Sequence, residues 1–202
     1  MKKLLIFGGT FNPIHNGHIN ILKSFIDYVN PDKSILMPTN IPSHKSYEDE
    51  VSAKDRYNMC VESLIDLKNT EVSDLEIKRS GKSYTVDTLK QMKKIYKEYD
   101  LFFITGADMF MTLQFWKDPG TILNLCTFCS TPRQDIDINR LKTQAEYLKR
   151  SYNYANFLLL DMELFNISST QIRNMVKEGL SIEKLVPAGV LKYIIQKNLY
   201  LK

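Results

Sequence analysis

Two of the three histidines in this 202-residue chain lie in one short stretch, GGTFNPIHNGH, at residues 8–18. The stretch also holds three of the eight glycines, and it directly follows a short apolar run. Gly8 and Gly9 let the backbone pass close to a ligand and adopt φ values that other residues resist. His15 and His18 flank the start of a predicted helix, whose free N–H groups and dipole favour an anion. The stretch therefore predicts a loop in which both imidazoles face one phosphate chain.

Other roles for these histidines receive less support from the neighbouring residues. The stretch matches neither G-x-G-x-x-G nor G-x-x-x-x-G-K-[ST], the two familiar phosphate-binding patterns. A zinc site on His15 and His18 would need further cysteine or histidine ligands, and none lie nearby in the sequence. The remaining alternative is that both are ordinary surface loop histidines.

Apolar runs alternate with amphipathic segments along the rest of the chain. This alternation predicts a Rossmann-like, doubly wound α/β fold: a mainly parallel sheet with helices on both faces and a C-terminal helical elaboration. The predicted strands are residues 3–7, 34–38, 71–77, 101–105, 125–130 and 156–162, and the predicted helices are 18–29, 85–97, 119–124, 139–150, 168–179 and two that begin at 52 and 187. Thr85 is predicted to cap one helix and Ser168 to form a capping box with Gln171. In such a fold ligands bind beyond the carboxyl ends of the strands, where residues 8–17 lie.

Composition and charge limit the class of protein. With 44% hydrophobic and 25% charged residues and a net charge of +4, the chain suits a globular protein that binds small anions rather than nucleic acid. No apolar run reaches the roughly 18 residues of a membrane span. The odd number of cysteines (Cys60, Cys126 and Cys129) favours buried thiols in a reducing cytoplasm over disulfides. We expect one domain over residues 1–202, with 139–202 as its C-terminal part.

Two motifs carry a resemblance to a known group of enzymes. His15-Asn16-Gly17-His18 resembles the His-x-Gly-His signature of the nucleotidyltransferases, and ISSTQIR at 167–173 resembles their I-S-S-T-x-x-R element. The first motif is also similar to that of class I aminoacyl-tRNA synthetases, but their K-M-S-K-S-like element is absent from this sequence. The two motifs together therefore indicate a nucleotidyltransferase whose C-terminal part carries the second motif.

The middle of the chain resembles one family of this group, the bacterial nicotinate mononucleotide adenylyltransferases. The segments that carry the resemblance are PTNIPSHK (38–45), GKSYTVDTL (81–89) and GADMFMTLQFWKDPGTIL (106–123). The stretch TPRQD at 131–135 departs from the family, in which Arg-Pro-Gly is expected: Arg133 is retained and the turn after it differs.

The resemblance implies a reaction between ATP and nicotinate mononucleotide in NAD biosynthesis. The mononucleotide phosphate would attack the α-phosphorus of ATP, giving nicotinate adenine dinucleotide and pyrophosphate. Because the attacking oxygen is already anionic, such an enzyme mainly positions two anionic groups and stabilises charge. Mg²⁺ is expected to accompany ATP, and no metal site on the protein is expected. The alternatives are an adenylyltransferase acting on nicotinamide mononucleotide or phosphopantetheine, and a nucleotide sensor without catalysis.

The resemblance also implies roles for individual residues. The catalytic side chains would be His15, His18, Lys45 and Arg173. The ATP-binding residues would be Gly8, Gly9, Thr10, Phe11, Gly106, Asp108, Arg133, Ile167, Ser169 and Thr170. The nicotinate nucleotide would be held by Thr85, Trp116 and Lys117, with the tryptophan stacked on the pyridine ring and the carboxylate bound by N–H donors, which favours nicotinate over its amide. The partners would be ATP and nicotinate mononucleotide, with no nucleic acid and no membrane, and the sequence leaves a homo-oligomer open.

Overall fold

The computed structural model describes residues 1–42, 51–64, 67–79, 81–133, 136–162, 165 and 167–201. The strands within these ranges are β1 (Lys2–Gly9), β2 (Lys33–Pro38), β3 (Ile41–Pro42), β4 (Thr70–Val72), β5 (Lys82–Ser83), β6 (Tyr99–Ile104), β7 (Thr127–Ser130) and β8 (Asn156–Leu159). Six of them form a parallel sheet in the order β4-β2-β1-β6-β7-β8, and β3 pairs with β5 separately. The predicted parallel α/β sheet is therefore confirmed.

Helices cover both faces of this sheet. They are α1 (Asn16–Val29), α2 (Ala53–Glu62), α3 (Leu75–Lys78), α4 (Thr85–Ile95), α5 (Ala107–Met111), α6 (Pro119–Leu125), α7 (Ile138–Ser151), α8 (Ser169–Lys177) and α9 (Ala188–Gln196), with a 3₁₀ turn at Leu113–Phe115. Successive side chains of β1 point to opposite faces, so that Leu4 and Ile6 join one core cluster while Leu5 and Phe7 join the other. The first cluster includes side chains from α4 to α7 and the second includes side chains from α1, α2, α8 and α9. In the part of the chain that the structure describes, no helix combines the length and apolarity needed to cross a bilayer.

The order of the strands creates a crevice above the centre of the sheet. The chain runs outward from β1 to β2 and β4, then returns to place β6 on the other side of β1. The connections that leave β1 and β6 therefore diverge at their carboxyl ends, which is where ligands bind in open α/β sheets. Two backbone hydrogen bonds hold the neighbouring strands together at this end of the sheet. Thr39 N–H donates to Gly9 O at 2.9 Å, and Thr105 N–H donates to Cys129 O at 3.0 Å.

One predicted strand is wrong over most of its length. Alternating residues predicted a strand over 71–77, but the strand ends at Val72 and Leu75 begins the short helix α3. The Ser73 hydroxyl accepts a hydrogen bond from Leu75 N–H, and Lys78 N–H bonds to Asp74 O. These local bonds turn the chain into a helical turn, so side-chain chemistry at Ser73 overrides the alternation.

Smaller differences concern the ends of elements. The predicted strand over 125–130 starts at Thr127, and the one over 156–162 ends at Leu159. Tyr84, not Thr85, occupies the N-cap of α4, because the backbone is extended at Tyr84 and already helical at Thr85. The capping box of Ser168 and Gln171 is confirmed at the start of α8. The short elements β3, β5, α5 and the 3₁₀ turn were not predicted.

Candidate active site

The first loop, which we define as residues 8–18, follows the carboxyl end of β1 and leads into α1. Gly8 and Gly9, at the start of this loop, are required by close packing, and neither has a positive φ. A Cβ atom on Gly8 would lie 2.7 Å from Cζ of Phe103, and one on Gly9 would lie 2.8 Å from the ring of Phe11. The left-handed residue is instead Phe11, with a φ of 49°. The prediction that these glycines supply unusual φ values is therefore wrong, and the close approach of the backbone to a ligand stays a prediction.

The imidazoles of His15 and His18 stack on each other in this loop. Their ring centroids are 3.7 Å apart with an interplanar angle of 28°. His15 occupies the N-cap of α1, is only 4% exposed, and donates its backbone N–H to Nδ1 of His18 at 3.3 Å. Because Nδ1 of His18 accepts that bond, the neutral ring carries its proton on Nε2. Both ring nitrogens of His15 are buried and have no hydrogen bond of good geometry among the described residues, which is unusual for buried polar atoms.

Both histidines are held neutral at physiological pH. Burial, and after it the guanidinium of Arg133, lowers the pKa of His15 to about 4. Burial, the neighbouring His15 and Arg133 together place the pKa of His18 well below its ordinary value of 6.5. An anion bound beside them would favour the protonated rings and raise these pKa values. The pair therefore offers hydrogen-bond donors that can gain positive charge when phosphate is present.

The start of α8 packs against the first loop, so the two motifs recognised in the sequence lie side by side. Ser169 donates its hydroxyl to Pro13 O at 2.9 Å. The Arg173 guanidinium donates from Nη1 to Asn12 O at 2.8 Å and from Nη2 to Thr170 Oγ1 at 3.3 Å. The first N–H groups of the helix and the exposed Thr170 hydroxyl thus flank the loop that carries the histidines. Ile167 precedes this helix and packs partly buried against the core.

Three further predicted ATP-binding residues follow β6 and β7 on the other side of the crevice. Gly106 caps α5, and a Cβ atom at this position would meet no heavy atom within 4 Å among the described residues, so there is room for a ligand. Asp108 is exposed in the first turn of α5, and its carboxylate lies 4.0 Å from Nη1 of Arg133. Backbone bonds of 3.0 Å in both directions tie Arg133 to Ile136. This pairing holds Arg133 in place although its turn departs from the family.

The predicted nicotinate residues Trp116 and Lys117 lie next to the start of α4, which Thr85 begins. Trp116 is half-buried, packs edge-on to Phe128 with ring centroids 5.9 Å apart, and brings Nε1 to 3.4 Å from Thr112 Oγ1. The next residue, Lys117, pairs with Asp87 at 3.1 Å and places its ammonium 4.5 Å from the ring centroid of Tyr84. Asp87 and Tyr84 flank Thr85, the first residue of α4. The structure therefore places Lys117 beside the first turn of α4, which Thr85 begins, although the two residues are 32 positions apart in sequence (117 − 85).

Arg56 is a site residue that the sequence analysis missed. It lies in α2, is 0% exposed, and donates from Nη1 to Thr10 O at 2.7 Å and from Nη2 to Asn40 O at 2.8 Å. Asn40 in turn bonds through its N–H to Ser83 Oγ at 3.3 Å, and through its side-chain amide to Arg79 O at 3.4 Å. Arg56 thus connects the first loop with the segment that leads to the nicotinate residues. The only sequence signal was a charged residue on a helix face that also carries Met59 and Cys60.

The predicted catalytic residue Lys45 lies outside the described residues. In the described ranges, no group of three or more histidine, cysteine, aspartate or glutamate side chains is placed to hold a metal ion. The cysteines at 60, 126 and 129 are buried and free, and burial raises the pKa of each thiol.

Comparisons with known proteins identify the family to which the chain is similar. The family described as cytidylyltransferase-like matches the chain over residues 6–175. A protein of Clostridium acetobutylicum with the name "Probable nicotinate-nucleotide adenylyltransferase" is 40% identical over 200 residues, which cover 99% of this chain and 100% of that protein. A protein of Borreliella burgdorferi with the same name is 36% identical and covers 99% of this chain and 97% of its own length.

Solved structures show the same architecture. The nicotinic acid mononucleotide adenylyltransferase of Plasmodium falciparum, complexed with NaAD, superimposes with a TM-score of 0.81 at 21% identity and covers 99% of this chain and 98% of its own. A Vibrio parahaemolyticus structure titled as a nicotinate-nucleotide adenylyltransferase gives a TM-score of 0.69 at 22% identity and covers 100% and 97%. At these identities the likeness establishes the fold.

Proposed function

We infer that this chain, which belongs to the family of nicotinate-nucleotide adenylyltransferases, transfers the adenylyl group of ATP to nicotinate mononucleotide. The products are nicotinate adenine dinucleotide and pyrophosphate, and the reaction is a step of NAD biosynthesis. The observation that carries the proposal is the convergence of the stacked His15–His18 pair, Arg133 and the start of α8 with its Arg173 at the carboxyl edge of the sheet. These groups suit a triphosphate, because they combine imidazole donors, guanidinium charge and a helix N-terminus.

The chemistry at this site is an in-line displacement. The phosphate oxygen of nicotinate mononucleotide forms a bond to the α-phosphorus of ATP while the bond from that phosphorus to the oxygen shared with the β-phosphate breaks. The attacking oxygen is anionic at neutral pH, so a general base is unnecessary and the depressed pKa values of the histidines do not hinder the reaction. Their task is electrostatic: Nε2–H of His18 and the ring of His15 donate hydrogen bonds where charge develops.

The pyrophosphate end of ATP is assigned to the start of α8. The N-terminus of a helix favours an anion, and the Arg173 guanidinium lies one turn further on. Thr170 supports this assignment because its exposed hydroxyl already contacts Arg173 at 3.3 Å. The Ser169 hydroxyl is bonded to Pro13 O, so Ser169 contributes to phosphate binding through its backbone and through its hold on the loop.

The nucleoside of ATP is assigned to the crevice over Gly106. The open space at that glycine supports a nucleoside there, and the exposed Asp108 carboxylate suits ribose hydroxyls. Arg133, half-exposed, contributes a charged donor toward the phosphates. Lys45 remains a prediction as a further cation for the phosphates.

The pyridine nucleotide is assigned to the cluster of Trp116, Lys117 and Thr85. The half-buried indole offers a π-face to the pyridine ring. The Lys117 side chain is already bound by Asp87, which supports a role for its backbone N–H rather than its ammonium in holding the nicotinate carboxylate. A pocket of N–H donors would bind the carboxylate better than an amide NH₂ and would select nicotinate.

Mg²⁺ is proposed to arrive with ATP and to neutralise phosphate charge. Mg²⁺ commonly keeps several waters and binds substrate phosphates, which suits arrival with a triphosphate. The free buried thiols support a reducing cytoplasm as the place of action. We further propose that residues 1–202 act as one domain, since side chains from the C-terminal helices join the same core as β1. A homo-oligomer stays a prediction, which light scattering can test.

The experiment that tests the proposal is pyrophosphate release by the purified protein with ATP and Mg²⁺. The acceptors are nicotinate mononucleotide, nicotinamide mononucleotide, phosphopantetheine and none. Fast release with nicotinate mononucleotide and little with the others supports the proposal in full. Fast release with another acceptor would refute the nicotinate assignment, and no release from protein that still binds ATP would point to a sensor.

A further inference from the structure

The turn after α9 brings Tyr200 back to the first loop. Asn198 and Tyr200 both adopt left-handed backbone conformations, with φ of 49° and 64°. Asparagine tolerates this conformation, but it is unfavourable for a tyrosine, so at Tyr200 it persists where side-chain contacts compensate. Burial of the Tyr200 ring offsets the backbone strain. The ring is only 6% exposed and packs into the core cluster that also contains Phe11 and Ile14 of the first loop.

The Tyr200 hydroxyl contacts the first loop directly. It donates a hydrogen bond of 2.6 Å to Oδ1 of Asn12, which is itself 4% exposed. A buried bond of this kind fixes the orientation of both groups, because leaving either one unsatisfied would be costly. Tyr200 therefore determines where the Asn12 side chain points.

Asn12 is also the residue to which Arg173 is bound. Nη1 of Arg173 donates to Asn12 O at 2.8 Å, so one residue joins the Tyr200 hydroxyl on its side chain and the guanidinium on its backbone. Neighbouring positions of the loop are held by other contacts, from Ser169 to Pro13 O and from the Asn16 backbone N–H to Leu185 O, both at 2.9 Å. The Tyr200 bond acts at the point in the loop where the arginine is attached.

We propose that Tyr200 is a positioning residue for the phosphates of ATP. Its hydroxyl orients Asn12, and through Asn12 it sets the position of the Arg173 guanidinium against the loop that carries His15 and His18. The proposal rests on the proposed function, since it assigns Tyr200 to the ATP side of that reaction. Reactions that depend on alignment are sensitive to displacements well below the size of an atom. Loss of one distant hydroxyl is therefore expected to lower turnover.

The test compares two variants that each lose one tyrosine hydroxyl. Tyr200→Phe removes the bond to Asn12 and keeps the buried ring. Tyr193→Phe is the matched control: it also lies in the C-terminal part, but its hydroxyl donates to Asp55 Oδ1 at 2.9 Å and accepts from Asn58 at 2.8 Å, both in α2. Each variant loses hydrogen bonds of ordinary strength, and each should lower Tm by about 2–4 °C or less.

We expect Tyr200→Phe to lower kcat/KM for ATP by about ten-fold, while KM for nicotinate mononucleotide changes by less than about two-fold. Tyr193→Phe should leave both parameters within about two-fold of the wild type. A merely structural role for Tyr200 would lower Tm without changing the ATP parameters. Unchanged kcat/KM for ATP in Tyr200→Phe, or an equal loss in Tyr193→Phe, would overturn the proposal.

A double-mutant cycle with Asn12→Ala identifies the route of the effect. If Tyr200 acts through Asn12, adding Tyr200→Phe to Asn12→Ala causes no further loss, and additive losses would contradict the proposal. Failure of the proposed function is recognised separately, because wild-type protein would then release no pyrophosphate with nicotinate mononucleotide. In that case calorimetric binding of a non-hydrolysable ATP analogue still tests the inference: weaker binding by Tyr200→Phe than by Tyr193→Phe supports it, and equal binding refutes it.

Discussion

Acidification should destabilise the folded protein through His15 before it affects ordinary surface groups. The ring has a pKa of about 4 in the fold, because burial and Arg133 disfavour its charged form, and an ordinary value of 6.5 in the unfolded chain. Between these two values the unfolded chain binds a proton that the folded protein excludes. Stability is therefore fully present above about pH 6.5 and is lost as the pH falls toward about 4.

The size of the loss follows from proton linkage. At about pH 5 the unfolded ring is almost fully protonated and the folded ring is almost fully neutral, which gives a loss of about 2 kcal/mol relative to pH 7. His18 adds to the loss in the same direction, since its pKa in the fold is also depressed. A typical domain has only about 5–15 kcal/mol of stability, so the change is large enough to measure.

The assay is urea unfolding, followed at about pH 7 and about pH 5, of the wild type and of His15→Gln. Urea is uncharged and leaves electrostatic interactions unscreened. We expect the wild type to lose about 2 kcal/mol more than the variant between the two pH values; substituting His15 also relieves one cause of the His18 shift, which enlarges the difference. Equal pH dependence in the two proteins would refute the burial of a neutral His15, and the experiment needs no substrate.

Three further predictions concern single residues. Gly8→Ala would place Cβ 2.7 Å from the Phe103 ring, and we expect a loss of about 1–3 kcal/mol in thermal unfolding; an unchanged Tm would contradict the packing described. Ser168→Ala removes the capping box with Gln171 and should cost about 1 kcal/mol in urea unfolding, and a loss below about 0.3 kcal/mol would show the cap to be dispensable. His18→Ala should lower kcat by about 10²-fold with an unchanged circular dichroism spectrum; full turnover in the folded variant would rule out its electrostatic role.

Much of the fold could be predicted because buried parallel strands have an unmistakable pattern. Runs such as residues 3–7 and 101–105 are apolar on both faces and end at glycine or a polar residue, and both became central strands. The strand over 71–77 failed because a serine hydroxyl bonded to the backbone two residues later. The strands β3 and β5 have two residues each, which is too short for any periodicity to be visible.

The site could be predicted only where residue type and spacing are distinctive. Two histidines three residues apart beside paired glycines stand out, and so does a capped helix that starts with serine and threonine. Arg56 and Tyr200 carry no such signal, because an arginine in a helix and a tyrosine after one are ordinary in sequence. Their contacts with Thr10 and Asn12 span 46 and 188 residues, and only the folded chain brings them together.

The contact between Asn12 and Tyr200 also has a consequence for synthesis of the protein. A ribosome makes Asn12 early and Tyr200 188 residues later, which takes about 10–40 s at ordinary elongation rates. During that time the nascent chain already contains both histidines and the strand that precedes them, but not the hydroxyl that bonds to Asn12. Chains that stop before residue 200 would thus present the histidine motif in an unfinished pocket, so that full activity would report that translation has passed this tyrosine.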